Sequence, residues 1–346
     1  MHPTRHKLLS RLAALFLTFS IVPIVSASDW NYHVRPHDNL RDLSIHYMKP
    51  DVPWQKLQGY NKVADPDHLP PGLVLHLPIA WLRAQPVNAQ VVAVIGNAHV
   101  QRPGQTHSIP VTSGMALGCG THLSTDANAS LTLQFADGSR VLMEEHSELD
   151  LDQMSAYGNT GMVDTRLRLQ HGRVSNAVTP MTGAAAHFSV ETPEAISTVR
   201  GTHFRVVDND GHSQTDVLTG RVDVAIDHAH VLVQAGRGEE VADGFKPPRP
   251  KPLLHAPTLH CSPQPLNQRP HTFAWAALGG AKSYRVQMAP NDRFEALLLD
   301  HVTSTTRISL PDVPDGDYAV RVHGIDSSEL EGEDGVACML HIGGHP

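Results

Sequence analysis

Apolar and polar positions fall into four distinct patterns along this chain, and each predicts its own kind of element. Within 29–82, the alternating Tyr32 and Val34 signal a strand. Leu40, Leu43, Ile45 and Tyr47 then trace broadly one apolar face of a helix, with Asp38 or Asn39 placed to cap its start and Pro50 and Pro53 to break it. Trp54, Leu57 and Tyr60 repeat at helical spacing as far as Asn61, and 74–78 reads as a closing strand. The predicted order is strand, helix, helix, strand.

Residues 88–243 read as strand and turn throughout. The runs 91–96, 131–135, 140–143, 167–169, 187–190, 204–207 and 221–226 are apolar or alternate with period two. Turn signals separate them at Asp137-Gly138, Gly158-Asn159, His171-Gly172, 208–211 and Thr219-Gly220. Regular short strands between glycine turns predict a wrapped sheet, a sandwich or a short solenoid. Residues 244–270 are dense in proline, which predicts a stiff, extended linker. In 271–346 the strand pattern returns at 273–275, 283–289, 305–310 and 318–326.

Composition narrows what these patterns can mean. Hydrophobic residues make up 40% of the 346 and charged ones 18%, enough apolar content for packed cores. Residues 1–27 pair a basic start (Arg5, Lys7, Arg11) with an apolar run and the small residues Val25-Ser26-Ala27, the pattern of a secretory signal peptide. Removing it takes away three bases and no acid, so the net charge goes from −8 to −11. Phosphate-backbone binding draws on a basic surface, so no nucleic-acid partner is expected. The apolar run is too short to span a bilayer comfortably, which predicts export to the periplasm without stable membrane insertion. Export permits a bond between Cys261 and Cys338, which bracket the last segment; Cys119, between two glycines, reads as a small turn residue.

Three resemblances follow from the motifs. Residues 29–82 resemble the LysM module, on Tyr32-His33-Val34, Asp38-Asn39-Leu40, Leu57 with Asn61, and Asp65-Pro66 leading to Pro71-Gly72-Leu73-Val74-Leu75 and Pro78. The likeness implies binding of N-acetylglucosamine-containing glycan, usually peptidoglycan, in a shallow groove between two loops. The residues it assigns to glycan are Asp38, Asn39, Leu40, Asn61, Pro66, His68, Leu69 and Pro70. One position departs from the family: its usual glycine before the Asp is His37. Residues 88–243 resemble the FecR domain, on Phe135-Ala136-Asp137-Gly138-Ser139-Arg140-Val141, Leu169-Gln170-His171-Gly172-Arg173-Val174, Glu191-Thr192-Pro193, Val199-Arg200-Gly201-Thr202-His203-Phe204-Arg205-Val206 and Gly220-Arg221-Val222. That family implies a periplasmic sensory or scaffolding domain, best known from regulators that relay a signal to a sigma factor. Those regulators place a cytoplasmic segment before a membrane span, and ten residues precede the apolar run here, so anti-sigma activity is not expected. Residues 271–346 resemble a fibronectin type III-like sandwich, on Trp275, Tyr284 and Asp315-Gly316-Asp317-Tyr318.

Two constellations invite chemistry. His146 and Asp150 with His228-Ala-His230 copy a zinc-peptidase spacing, but the His-x-x-x-Asp pattern also begins at His122 and His212, as chance allows among 24 histidines. Arg200 and Gly201 offer either an anion or partner site, or a tight bend with Arg200 paired to a neighbouring acid. The preferred reading is a mainly β, non-enzymatic envelope protein without cofactor or metal. Its LysM-like module binds peptidoglycan, and its FecR-like domain serves as scaffold or sensor, with an envelope protein as a further partner. The alternatives are a zinc peptidoglycan hydrolase using His146, Asp150 and His230, and a membrane-held FecR-type signalling regulator.

Overall fold

The computed structural model describes residues 29–209, 211–242, 249–261, 266 and 270–343. The signal peptide expected at 1–27 lies outside the described residues. The chain is mainly β, with a small helical module at its N-terminal end.

That module pairs β1 (Asp29–His33) antiparallel with β2 (Val74–Pro78), Asp29 facing Pro78 and His33 facing Val74. Helices α1 (Leu40–Tyr47) and α2 (Trp54–Asn61) lie between them in sequence. Asn39 caps α1, its side-chain oxygen accepting from the Asp42 amide at 2.9 Å. Leu40, Leu43 and Tyr47 are buried at the three- and four-residue spacing that makes one helix face. Ile45 belongs to the opposite side and is 71% exposed, which corrects its place in the predicted apolar face. Ser44 fills the inward position and donates to the Val52 carbonyl at 3.3 Å.

The middle of the chain folds into a flattened β-barrel with two faces. One face runs through Thr121–Thr125, Glu148–Tyr157, the first part of Val163–Ala177, His187–Glu191, Ile196–Val199, Arg221–Ile226 and Ala229–Gln234. The other runs through Ala89–Ile95, Ser130–Gln134, Arg140–Met143, the second part of Val163–Ala177, His203–Asp208, His212–Thr219 and Arg237–Ala242. Apolar side chains from both faces, among them Leu133, Leu169, Phe188, Phe204 and Val224, fill the interior.

The strand Val163–Ala177 belongs to both faces and changes between them at Gly172. His171-Gly172, expected as a turn, is therefore a bend inside one long strand. Gly172 has φ +91°, and a Cβ there would sit 2.5 Å from Ser147 Oγ and 2.6 Å from the His146 carbonyl, so only glycine fits.

The C-terminal module packs a two-stranded sheet (Thr272–Ala274 with Arg307–Ser309) and a four-stranded one over a shared core that includes Trp275, Tyr284, Val286 and Leu340. The four strands run in the order Leu299–Thr303, Ser283–Ala289, Gly316–Ile325, Cys338–Ile342. Cys261 and Cys338 form a disulfide. The described part of the proline-rich segment is not a free linker: Lys251–Pro252 pairs with Arg237 and Gly238, and Leu253 is buried. It leads into a module seated on the barrel. Thr132 Oγ1 donates to the Glu295 carbonyl at 2.7 Å, the Leu297 amide donates to Ser130 Oγ at 3.2 Å, and Leu142 packs with Ala289, Phe294, Leu297 and Ala319.

Candidate functional site

The two loops predicted to hold glycan do meet. The Leu40 amide donates to the Pro66 carbonyl at 2.8 Å, and Arg41 Nε lies 3.2 Å from Asp67 Oδ1. Several of the assigned side chains are spent within the module. Asp38 Oδ2 accepts from the Tyr32 hydroxyl and the Arg35 amide, both at 2.7 Å, and burial together with this carboxylate raises the Tyr32 phenol. Asn39 caps α1, and Leu40 and Leu69 are buried in the core. His68 is exposed and shares a 3.1 Å hydrogen bond with Asp65, while Pro70 is exposed with its carbonyl accepting from Leu73. Asn61 is not part of this cluster: its side chain bonds the Leu57 carbonyl and both backbone groups of His76, tying α2 to β2. His37, where the family has glycine, adopts φ +73°, so the backbone keeps a glycine-like shape.

The proposed zinc ligands stay apart in their bonding. Asp150 accepts from Gln170 and pairs with His122 at 2.7 Å, whereas His230 pairs with Asp223 at 3.3 Å. Among the described residues no three His, Cys, Asp or Glu side chains are grouped to hold a metal ion. Cys119 sits at a turn, where its sulfur accepts from the Met154 amide at 3.1 Å.

The densest polar chemistry lies between the barrel and the C-terminal module. From the barrel come Arg173, Arg205 and Asp216 on neighbouring strands of one face and Glu144 just past the strand Arg140–Met143, all four buried. From the module come Arg285, Asp300, Arg321, His323, Glu331 and Asp334. Arg205, only 2% exposed, bonds Asp334, His323 at 3.2 Å, and the Glu331 and Gly332 carbonyls. Arg173 pairs with Glu144 at 3.0 Å and with Glu331. Arg285 reaches Glu331 at 2.6 Å, Asp300 at 2.8 Å and Glu144 at 3.1 Å. Each cation thus touches acids, and most acids are shared by two or three cations.

The electrostatics follow from that sharing. Burial works against charge on Glu331 and Asp334, yet the surrounding guanidiniums hold both well below the usual carboxylate range. Burial wins at Glu144, whose carboxyl is raised with help from nearby Asp300, and at Asp216, pushed up to about 7. Burial also lowers His323, favouring its neutral ring. Beside this network a cleft of about 670 Å³ opens between barrel and module, walled by Leu142, Phe294, Val336 and Met339 and by Arg140 and Arg321. Sequence reasoning missed the whole arrangement. Several members, among them Arg173, Arg205 and Arg321, lie on strands at positions that read as solvent-facing, and nothing along the chain pairs residue 205 with residue 334.

Residues 121–223 match the family model described as FecR protein. The likeness to that family covers this stretch of the barrel alone. All four barrel residues of the charged interface, Glu144, Arg173, Arg205 and Asp216, lie inside the FecR match. Two solved structures of a "putative anti-sigma factor" from Parabacteroides distasonis ATCC 8503 are similar at 17% identity and a TM-score of 0.31, covering 38% of this chain. The match takes in 59% of their length, so the chain spans about three fifths of those proteins. The extracellular domain of a "putative hybrid two component system" from B. thetaiotaomicron aligns over 82% of this chain and 64% of its own, at 7% identity and a TM-score of 0.18. No protein of curated function matches the chain. Among the described residues no helix is long and apolar enough to cross a membrane.

Proposed function

We propose that this chain is a non-enzymatic FecR-type signalling regulator of the cell envelope, working in the periplasm. The observation that carries the reading is the FecR match over 121–223, together with the fact that the charged face of that domain is held by the chain's own C-terminal module. A signal is relayed when a bound partner changes how firmly the module sits, since a contact built from shared ions has two discrete states, paired and parted. The test is a strain lacking the chain, complemented with wild type or with Arg205→Met. A defined set of transcripts that shifts on deletion, returns with wild type and stays shifted with the variant supports the regulator. Transcripts indifferent to deletion refute it.

A second reading, attachment to peptidoglycan through residues 29–82, draws support from the strand–helix–helix–strand order and the meeting of the 38–40 and 66–70 loops. Purified sacculi should then pellet the mature chain without release of label from the sacculi. A chain that stays in the supernatant removes the glycan role and leaves the regulator untouched.

A further inference from the structure

Arg200 and Arg221 line one groove of about 630 Å³ on the barrel face opposite the C-terminal module, and their charges are left over. Among the described residues the Arg200 guanidinium reaches only the Gly183 and Ala184 carbonyls, each at 3.5 Å. Among the described residues neither arginine makes an ion pair, so the neighbouring acid expected for Arg200 is missing. Their segments are fixed close together. Thr202 Oγ1 donates to the Arg221 carbonyl at 3.0 Å, and a Cβ on Gly201 would lie 2.5 Å from Pro180 Cα. Gly201 therefore makes the expected bend, and the bend holds Arg200 beside Arg221.

Two like charges side by side on a sheet repel, and natural strands usually place an acid between them. The groove's carboxylate, Asp223, faces Thr198 and is shared with His230 at 3.3 Å. His187 adds an imidazole to the lining. This basic patch sits on a chain of net charge −8. Beside it Leu232 is 53% exposed and Ile196 40% exposed. The strand Ala229–Gln234, which carries Leu232, pairs with Arg221–Ile226, so Leu232 and the groove share one sheet.

We infer that this groove binds an extended segment of a partner protein in which a cluster of carboxylates is followed by apolar residues. The carboxylates would bridge Arg200 and Arg221, and the apolar part would cover Leu232 and Ile196. The inference supplies a partner site for the regulator reading, but its binding test does not depend on any transcript.

The probe is a fluorescein-labelled octapeptide of four glutamates followed by Leu-Val-Leu-Val, titrated against the full mature chain by anisotropy. A glutamine-for-glutamate version and phosphatidylglycerol vesicles are run beside it. Wild type should bind the acidic peptide, with Arg200→Gln and Arg221→Gln each weakening it about fivefold and the double variant about 25-fold. Raising sodium chloride from 50 to 500 mM should weaken it as well. Arg168→Gln, whose guanidinium is already paired with Asp152, should change nothing. Because neither groove arginine holds a carboxylate, both variants should melt no lower than wild type. No binding by wild type at 1 mM peptide, equal binding by the double variant, or preference for the glutamine peptide would each overturn the inference. Binding of vesicles alone would make the surface a lipid site, and a melting point several degrees lower would make the arginines structural; both also overturn it.

Discussion

Replacing Arg205 by methionine strips the buried network of the cation that joins barrel to module. Arg205 donates to two backbone carbonyls, of Glu331 and Gly332, and to the Asp334 carboxylate, with Asp216 3.8 Å away. Methionine keeps much of the volume but leaves those carbonyls without donors and Asp216 without its nearest cation. Breaking a buried pair by removing one partner costs about 3–5 kcal/mol. If that loss falls on the contact between the two bodies, the docking equilibrium constant drops by a factor of about 10² to 10⁴. Urea unfolding of the mature chain, followed by tryptophan fluorescence, measures the loss of stability. Small-angle scattering without urea shows whether the module leaves the barrel before either unfolds. Arg168→Met is the reference, because its pair with Asp152 is partly exposed and worth at most about 1 kcal/mol. A loss no larger than the reference, with unchanged scattering, would refute the view that this network holds the module.

Three other outcomes are expected. Gly172→Ala forces a Cβ against Ser147 and the His146 carbonyl at positive φ and should cost more than about 2 kcal/mol in chemical denaturation, whereas Gly161→Ala, with open space around it, should cost less. Glu239 is 2% exposed, neither of its carboxylate oxygens is hydrogen-bonded among the described residues, and burial pushes its pKa up to about 7. Its folded pKa lies above its unfolded one, so its contribution is fully present below about pH 4.5 and is lost as pH rises through about 7. Glu239→Gln should therefore raise the melting temperature at pH 8 relative to wild type, with the advantage gone at pH 4. Reducing the Cys261–Cys338 bond, which closes 77 residues of sequence separation, should destabilise the C-terminal module by about 4 kcal/mol, seen as a lower first transition in calorimetry.

What could be read from the sequence divides along physical lines. Strands such as Ser130–Gln134, Arg140–Met143 and Arg221–Ile226 were legible because their period-two pattern reports directly on which side chains face the core. Gly172 was recognised as a special position, but a turn and a mid-strand bend look alike when the only signal is a glycine between two alternating runs. Ile45 was misplaced because a two-residue step from Leu43 crosses a helix, while the polar Ser44 takes the inward place by bonding a carbonyl. Of the residues assigned to glycan, Asp38, Asn39, Leu40 and Pro66 lie on two loops that meet, but the same oxygens that suit a sugar also suit a helix cap and a tyrosine. Asn61 went to a different task because a side-chain amide serves a strand edge as well as a ligand. The charged interface was invisible, since its partners are set by how two separate sheets meet.

The long strand Val163–Ala177 acts as a ruler inside the molecule. Just before its start, Met162 is buried in the core of the N-terminal module, and Asn159 bonds His46 at 2.6 Å. Ten residues along, Arg173 grips Glu331 of the C-terminal module. At roughly 3.3 Å per residue, one continuous strand, bent only at Gly172 just before the second grip, separates the two by at most about 33 Å. The outer modules therefore stand at a spacing fixed by a count of residues in a single element. A tug on one end reaches the other as tension along a backbone, with little slack to absorb it. Adding two residues between Val163 and Arg173 would preserve which side chains face inward and still leave one grip about 7 Å out of reach.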